Sequence, residues 1–331
     1  MTPEAGSRAP RVASSGRPSA REQCADAVLM VRPAAFGYNL ETAATNSFQP
    51  REGPEIAGAE TAARAEFEHL RRALESEGVS VCAAADHSPP AKPDAVFPNN
   101  WVSFHADGTL VVYPLQSASR RPERRREVIE QAVRELDFPI ARELDLTHYE
   151  RDGAFLEGTG SLVLDHIERV AYACLSPRTH RQVVAHWARE LGYEAVIFAA
   201  TDRRGAPLYH TNVMMSIGAR FVVIATEAIA APDRDRVLAR LGASGREIIE
   251  INHAEMAQFA ANVLELATWD EALGDAGVLV MSESARRVLR PEIYTQLSGC
   301  SDAVLAVPVP TIERLGGGSV RCMLAEVFRG A

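Results

Sequence analysis

The hydrophobic and polar positions of this chain form a unit of two strands and a helix. Two short apolar runs, residues 101–105 and 109–113, flank an Asp107-Gly108 pair. An Asp-Gly turn between two such runs is typical of a β-hairpin. Residues 122–136 follow with apolar positions at helical spacing and many arginines. The pattern therefore predicts a hairpin and then a helix.

Four further copies of this unit follow the same order. Their strand pairs are predicted at 161–165 with 169–174, 212–217 with 220–225, 262–266 with 278–281, and 319–328 with the first strand of the chain, 27–31. Helices follow three of these pairs, at 179–191, 232–241 and 283–297, and a separate helix is predicted at 55–78. Additional strands are predicted at 79–81, 195–198 and 303–307. Each repeat thus consists of a hairpin, a helix and a strand.

Repetition at intervals of about 50 to 60 residues indicates units that cannot bury a core alone and pack around a common centre. The alternative is an ordinary α+β domain whose periodicity arises by chance. If the first strands of the hairpins line one axis, the residues that begin them converge on one point. They are Asn100, Glu157, His210 with Asn212, and Cys322.

Composition is that of a globular enzyme. The chain has 331 residues, of which 47% are hydrophobic and 24% charged, enough for a large core. Residues 1–22 are rich in Ala, Pro, Ser, Gly and Arg, so we expect a disordered tail there. Residues 23–331 are predicted to form a single catalytic domain.

Charge and cysteine usage exclude several function classes. A net charge of -9 argues against a nucleic-acid or anionic-membrane surface and favours small-molecule chemistry. No apolar run is long enough to span a membrane, and the N-terminus lacks the apolar core of a secretory signal. Five widely spaced cysteines show no zinc-binding spacing, so we predict no metal site and a cytoplasmic location.

Cys322 follows three consecutive glycines, residues 316–318, and stands at the start of a strand-like run. Glycines relieve Cβ constraints on the backbone, so they could present the thiol to another group as a nucleophile. The alternative is a free cysteine that serves as a small buried hydrophobe. On this stretch alone, the second interpretation is favoured.

Four motifs favour the nucleophile interpretation of Cys322 instead. Phe-Pro-Asn-Asn-Trp at 97–101, Leu-Glu-Gly-Thr-Gly at 156–160, Tyr-His-Thr-Asn at 209–212 and Gly-Gly-Gly-Ser-Val-Arg-Cys at 316–322 resemble the guanidine-modifying, or pentein, superfamily. It includes arginine deiminases, dimethylarginine dimethylaminohydrolases and amidinotransferases, and the strongest resemblance is to citrulline-utilisation hydrolases. The resemblance covers the chain from Asp26 onward and implies an α/β five-bladed propeller of ββαβ repeats with pseudo-fivefold symmetry.

The resemblance also implies catalytic roles and no cofactor. Cys322 would be the nucleophile, His210 the general acid and base, and Glu157 a carboxylate that binds a substrate nitrogen and supports His210. A thiolate suits a resonance-stabilised guanidino or ureido carbon, because covalent capture divides one hard step into two easier ones. Taken singly, Glu157 could be a surface charge, His210 a structural histidine and Asn100 a turn residue.

Asn100 indicates which substrate the site prefers. Arginine deiminases resemble this chain but carry an aspartate there, and usually another where this chain has Asn212. Amides match a neutral ureido group better than a guanidinium, so we predict a citrulline ureidase that yields ornithine, ammonia and carbon dioxide. Arginine dihydrolase is a close alternative, because some dihydrolases also resemble the chain in having asparagine there. Arginine deiminase, dimethylarginine hydrolase and, in another enzyme class, amidinotransferase stay open.

Four further residues are candidates for binding an arginine-like amino acid. Arg120, Arg121 and Arg178 lie in segments that resemble the α-carboxylate-binding segments of dimethylarginine hydrolases, and an arginine fork pairs with a carboxylate through two hydrogen bonds. Adjacent Arg120 and Arg121 are not distinguished by the sequence. Asn46 resembles an asparagine that arginine dihydrolases use. Gly160 departs from the common Glu-Gly-Gly-Asp pattern, and a homo-oligomer stays open.

Overall fold

The computed structural model describes residues 20–50, 57–270 and 274–329, which form a mixed α/β structure. The strands of these residues are β1 (Ala27–Arg32), β2 (Ser80–Ala85), β3 (Val102–Phe104), β4 (Thr109–Val112), β5 (Arg142–Asp145), β6 (Val163–Asp165), β7 (Val170–Cys174), β8 (Glu194–Phe198), β9 (Met215–Ile217), β10 (Phe221–Ile224), β11 (Glu247–Glu250), β12 (Leu264–Asp270), β13 (Gly274–Ser282), β14 (Ala303–Val307) and β15 (Ala325–Val327).

The described residues also form eleven α-helices. They are α1 (Ala20–Gln23), α2 (Leu40–Ala43), α3 (Ala59–Ser76), α4 (Arg126–Glu135), α5 (Gly158–Ser161), α6 (Arg181–Leu191), α7 (Ala231–Gly242), α8 (His253–Met256), α9 (Glu283–Val288), α10 (Pro291–Gly299) and α11 (Pro310–Gly316).

Within the described residues, five three-stranded units share one plan. The first strand pairs antiparallel with the second, and the second pairs parallel with the third after a helical crossover. The units are β3-β4-β5 with α4, β6-β7-β8 with α6, β9-β10-β11 with α7, β12-β13-β14 with α9 and α10, and β15-β1-β2 with α3. The five strand pairs predicted from the sequence are therefore confirmed.

The fifth unit joins the two ends of the described chain. Strand β15 pairs antiparallel with β1, with Ala27 opposite Val327, and β1 runs parallel to β2. Val327 also pairs with Phe104 of β3, which merges two units into one six-stranded sheet. An ion pair of 2.7 Å between Asp26 and Arg329 reinforces this junction.

Helix α3 shows why the crossover helices form. Its buried positions include Ala63, Phe67, Leu70 and Leu74, which recur at helical spacing and form one apolar face. That face packs in an apolar cluster with Val28 and other strand side chains. Complete burial of a Phe or Leu side chain contributes about 1.5–3 kcal/mol, so packing of this face accounts for the position of the helix.

Some predicted boundaries differ in the structure. The helix expected at 283–297 is two helices, because Pro291 cannot continue α9 and instead begins α10. Strands β5 and β11 carry charged residues at exposed positions, which conceal them from a hydrophobicity pattern. Cys322 lies in a 3-10 turn (Val320–Met323) ahead of β15 rather than at the start of the strand.

The predicted tail at 1–22 falls mostly outside the described residues. Only its last residues, from Ala20, are described, and they belong to helix α1. Residues 55 and 56 of the predicted helix at 55–78 also lie outside the described part of the chain. In that part, no helix is both long and apolar enough to cross a membrane.

Candidate active site

The predicted catalytic residues lie just ahead of the first strands of their units. Asn100 is in the 3-10 turn Pro98–Asn100 before β3, and Glu157 directly precedes α5, which leads into β6. His210 and Asn212 are at the turn Thr211–Val213 before β9. Cys322 and these four residues are all at most 3% exposed. The structure therefore brings the predicted strand-start residues into the interior.

A pocket lies at this point. Its lining includes the predicted residues Cys322, His210, Asn100, Asn46, Arg120 and Arg178. The other lining residues are Thr42, Asp94, Phe97, Tyr209, Gly316, Gly317 and Gly318. Glu157 and Asn212 are outside this lining. Glu157 contacts His210, and Asn212 contacts Cys322.

His210 and Glu157 form a buried pair. Nε2 of His210 lies 2.8 Å from Oε2 of Glu157. Burial lowers the pKa of His210 to about 4, although the hydrogen bond and charge of Glu157 act in the opposite direction. Since an ionised carboxylate only accepts hydrogen bonds, neutral His210 carries its proton on Nε2. Nδ1 is left with a free lone pair, which can accept a proton.

Glu157 is held ionised despite complete burial. Burial by itself raises the pKa of Glu157, but Arg178, the hydrogen bond from His210 and Arg120 outweigh burial and hold that pKa well below its usual range. Nη1 of Arg178 lies 3.4 Å from Oε2 of Glu157. The carboxylate is therefore available to orient His210.

Arg178 is fixed on three sides. Its Nη2 donates to the carbonyl of Thr42 at 2.7 Å, and its Nε donates to Oγ1 of Thr45 at 3.0 Å. The guanidinium also lies 5.1 Å from the ring centroid of Tyr209. Thr42 and Thr45 lie in and just after α2. Arg178 therefore connects this segment to the pocket through hydrogen bonds.

The structure distinguishes Arg120 from Arg121. Arg120 borders the pocket, is 2% exposed, pairs with both carboxylate oxygens of Glu123 at 3.0 and 2.8 Å, and donates to Oδ1 of Asn100 at 2.8 Å. Arg121 is outside the pocket lining and lies 3.1 Å from Glu150, with 35% of its side chain exposed. Burial raises the pKa of Glu123 to about 7, against the opposing effect of Arg120.

Asp94 lines the pocket and was missed by the sequence analysis. Its Oδ2 accepts hydrogen bonds from Asn39 at 2.7 Å and Thr42 at 3.2 Å, and it lies 3.8 Å from Nε of Arg120. Burial raises its pKa, with Arg120 opposing. No specific signal marks Asp94 in the sequence, because it follows Lys92 and Pro93 and stands outside the four motifs.

Asn262 was also missed. It is fully buried directly before β12, and its Nδ2 lies 3.3 Å from Sγ of Cys322. Asn212 contacts the same sulfur, with its Nδ2 at 3.6 Å. The repeat could have indicated Asn262. It lies just before the first strand of the fourth unit, as Asn100 and Cys322 lie before the first strands of their units.

The glycines at the site allow close approach. Gly317 has φ of +62°, and its carbonyl accepts from Asn46 at 3.1 Å and from the hydroxyl of Tyr209 at 2.6 Å, so the turn before Cys322 is held in place. A Cβ on Gly160 would lie 2.7 Å from Nδ1 of His210 and from Nδ2 of Asn100. The missing aspartate of the Glu-Gly-Gly-Asp pattern thus leaves room for both side chains.

No group of three or more His, Cys, Asp or Glu side chains suited to a metal ion occurs among the described residues. All five cysteines are free and buried. The chemistry that this arrangement can supply comes from a thiol, an imidazole with a free Nδ1, an ionised carboxylate and two buried guanidinium groups.

Three solved structures are similar in fold. The N-terminal domain of ArgZ, an arginine dihydrolase from the ornithine-ammonia cycle in cyanobacteria, bound to substrate, matches with a TM-score of 0.69 and 16% identity over 92% of this chain and 98% of that one. A mutant of AgrE bound to L-arginine matches with a TM-score of 0.71 and 17% sequence identity. The match covers 92% of this chain and 40% of the AgrE chain.

A dimethylarginine dimethylaminohydrolase adduct with S-methyl-L-thiocitrulline matches with a TM-score of 0.61 and 18% identity over 91% of this chain and 99% of that one. No curated protein matches the sequence significantly. The profile of the family described as N,N dimethylarginine dimethylhydrolase, eukaryotic, matches residues 32–329. The chain therefore belongs to this family, within the guanidine-modifying superfamily, and is a hydrolase that acts on non-peptide C–N bonds.

Proposed function

We propose that this protein hydrolyses arginine to citrulline and citrulline to ornithine, with Cys322 as nucleophile in both steps. The observation that carries the proposal is the mixed wall of the pocket. Asp94 supplies a carboxylate that suits a cationic guanidinium or ammonium group, whereas Asn46 and Asn100 supply amides that suit a neutral ureido group. A single site with both kinds of group can hold the substrate and the intermediate in turn.

The amino-acid end of the substrate fits the two buried arginines. Arg120 and Arg178 both line the pocket, and their positive charges favour an α-carboxylate there. Asp94 faces the same pocket and can accept the α-ammonium group. The partner of the site is thus a small amino acid such as arginine or citrulline, and no cofactor takes part in the proposed chemistry.

In the first half-reaction, the thiolate of Cys322 attacks the guanidino carbon. Nδ1 of His210 takes the proton of the Cys322 thiol as the thiolate forms and passes it to the departing nitrogen, so ammonia leaves and an S-alkylthiouronium forms on the sulfur. Nδ1 of His210 then accepts a proton from water, the water oxygen bonds to the same carbon, and the C–S bond breaks. The product is citrulline, and the thiolate is restored.

The second half-reaction repeats these steps on the ureido carbon. Attack by the thiolate and loss of ammonia give an S-linked thiocarbamate, and water then releases the carbamate of ornithine. This carbamate loses carbon dioxide to give ornithine. Per arginine, two waters are consumed and two ammonia molecules are released, so the atoms balance. This half is the citrulline ureidase reaction that Asn100 favours.

ArgZ is described as an arginine dihydrolase, and the AgrE structure contains L-arginine, which supports a two-step reaction for this fold. The family description points instead to methylated arginines. The amide of Asn100 supports the reaction to ornithine, because an amide accepts the neutral product of the first step for a second round.

Product analysis with separate substrates tests the proposal. Purified protein is incubated with arginine, citrulline or asymmetric dimethylarginine, and ornithine, citrulline, dimethylamine and ammonia are quantified by mass spectrometry. We expect ornithine from both arginine and citrulline, with two ammonia per ornithine from arginine. If ornithine forms from citrulline but not from arginine, the protein is a citrulline ureidase. If dimethylamine release from asymmetric dimethylarginine is faster than product formation from the other two substrates, it is a dimethylarginine hydrolase. Added glycine that becomes amidinated identifies an amidinotransferase.

The arrangement of the units extends the proposal to the fold. We propose that residues 23–331 form one domain in which the five units make a five-bladed propeller. Contacts between the first strands of neighbouring units support this arrangement, as β6 contacts β9, β9 contacts β12 and β15 pairs with β3. Because the site residues precede these first strands, they would meet at one end of the propeller axis.

A further inference from the structure

Asn262 has a side chain with no role in the chemistry derived so far. It is 0% exposed and directly precedes β12 of the fourth unit. Its Nδ2 lies 3.3 Å from Sγ of Cys322, which is within hydrogen-bond reach of a sulfur atom. The other amide nitrogen in contact with this sulfur, Nδ2 of Asn212, lies farther away at 3.6 Å.

The orientation of the Asn262 amide is determined by a second contact. Nδ2 also lies 3.0 Å from the main-chain carbonyl oxygen of Asn212. A carbonyl oxygen only accepts hydrogen bonds, so the amide atom that faces it must be the NH2 group rather than Oδ1. That NH2 group has two hydrogens. One is used by Asn212, and the other is free to point at the sulfur.

We infer that Asn262 stabilises the thiolate of Cys322 by donating its second N–H to the sulfur, and that the amide of Asn212 assists on the same atom. The inference rests on the proposed function, in which Cys322 is the nucleophile. A hydrogen bond to a charged group is stronger than one to a neutral group, so the donor favours the thiolate over the thiol.

The neutrality of both amides has a consequence for the substrate. A carboxylate beside the sulfur would repel a thiolate, and the thiolate would then form readily only after a cationic substrate had entered. Two amide donors stabilise the anionic sulfur without adding negative charge. Cys322 can therefore attack a neutral ureido group as well as a guanidinium, which the second half-reaction requires.

Alkylation of the thiol tests this role without any substrate. Wild-type protein and the variants Asn262→Asp and Asn262→Ala are treated with iodoacetamide from about pH 5 to about pH 10, and labelling of the Cys322 peptide is measured by mass spectrometry, since only the thiolate reacts. Asn252→Asp serves as the matched control, because Asn252 caps α8 and aspartate caps a helix as well.

We expect the midpoint of Cys322 labelling to rise by at least about one pH unit in Asn262→Asp, which corresponds to about tenfold less thiolate at a given pH below the midpoint. Asn262→Ala shifts the midpoint upward by less, because it removes a donor without adding charge. Asn252→Asp leaves the midpoint unchanged. Equal midpoints in Asn262→Asp and wild type overturn the inference.

The four other cysteines and the circular dichroism spectrum of each variant report whether the fold is kept. If Asn262→Ala does not fold, Asn262→Asp, which has nearly the same shape, and Asn262→Ser decide the question. Failure of the proposed function gives a different result. In that case the wild-type protein does not form ornithine from arginine and citrulline, whereas the labelling midpoint in Asn262→Asp still shifts.

Discussion

Nε2 of His210 is hydrogen-bonded to Oε2 of Glu157 at 2.8 Å, and this contact determines which ring nitrogen is free. The carboxylate accepts a hydrogen bond from Nε2–H, so the proton of the neutral ring stays on Nε2 and Nδ1 keeps its lone pair. Both side chains are buried, and burial lowers the pKa of His210 to about 4 even against the effect of Glu157. At neutral pH the imidazole is therefore a neutral base, ready to take a proton from water.

The pH profile follows from this pair. His210 must be neutral to take the thiol proton of Cys322, so kcat/KM for citrulline should fall on the acidic side with a midpoint near the folded pKa of about 4. That midpoint is well below the value of about 6.5 for a free histidine. Initial rates measured over acidic pH, with brief exposure and a return to neutral pH to check stability, test this. A limb near 6.5 contradicts the buried neutral imidazole.

Cys322→Ala should abolish turnover without loss of the fold. The substitution removes the sulfur that forms the covalent intermediate, whereas Cys322 lies in a short turn whose main-chain N–H bonds to Ser319 at 2.9 Å and does not depend on the thiol. Cys300→Ala, at the end of α10, is the matched control and should keep its activity. Ornithine release by purified Cys322→Ala would exclude a covalent mechanism at this residue.

Asn100→Asp should shift the preference toward arginine. A carboxylate at this place gains a charge-assisted hydrogen bond with a guanidinium, worth about 1.5–3 kcal/mol, that a ureido group does not provide. Part of this gain is offset because Arg120 already donates to Oδ1 of Asn100 at 2.8 Å. We expect the ratio of kcat/KM for arginine to that for citrulline to rise about tenfold. An unchanged ratio contradicts the role of Asn100 in substrate choice.

Arg120→Lys and Arg121→Lys form a matched pair of neighbouring substitutions. Lysine keeps the charge but loses the planar fork, so Arg120→Lys should raise KM by about tenfold or more. Arg121 lies outside the pocket lining and contacts Glu150, so Arg121→Lys should leave kcat and KM within about twofold of wild type, since exposed ion pairs contribute little. Equal effects of the two substitutions would contradict the assignment of Arg120 to the pocket.

Gly160→Ala should lower kcat more than it lowers stability. The new Cβ would lie 2.7 Å from Nδ1 of His210, so the imidazole must move away from its catalytic position. A shift of the base by about 1 Å can reduce the rate by about a hundredfold. Gly299→Ala is the control, because no atom lies within 4 Å of its added Cβ. Both kcat and the melting temperature are measured, and an unchanged kcat in Gly160→Ala refutes the steric argument.

The repeat made most of the strand pairing predictable. Continuous apolar runs with turn residues between them determine the first two strands of each unit, and these strands are buried in the structure. The third strands β5 and β11 were not predicted, because each is paired with one neighbour and carries charges at exposed positions. A one-dimensional hydrophobicity pattern carries little signal for such edge strands.

The candidate site was predicted less completely. Motif residues such as Glu157, His210 and Cys322 could be named from the sequence, because each stands at an equivalent place in its repeat. Asp94 could not, because its place in the pocket depends on hydrogen bonds from Asn39 and Thr42, which are distant in sequence. Arg120 and Arg121 are adjacent in a 3-10 turn, and only the fold determines which of them is buried.

The pairing of β1 with β15 has a consequence for how activity returns after unfolding. Cys322 lies directly ahead of β15, and that strand is held on one side by β1 and on the other by β3. The pair brings together residues as distant as Ala27 and Val327, and such long-range pairing is slow to form. Recovery of ornithine release during refolding should therefore report the last long-range pairing, and lag behind the recovery of helix signal by circular dichroism.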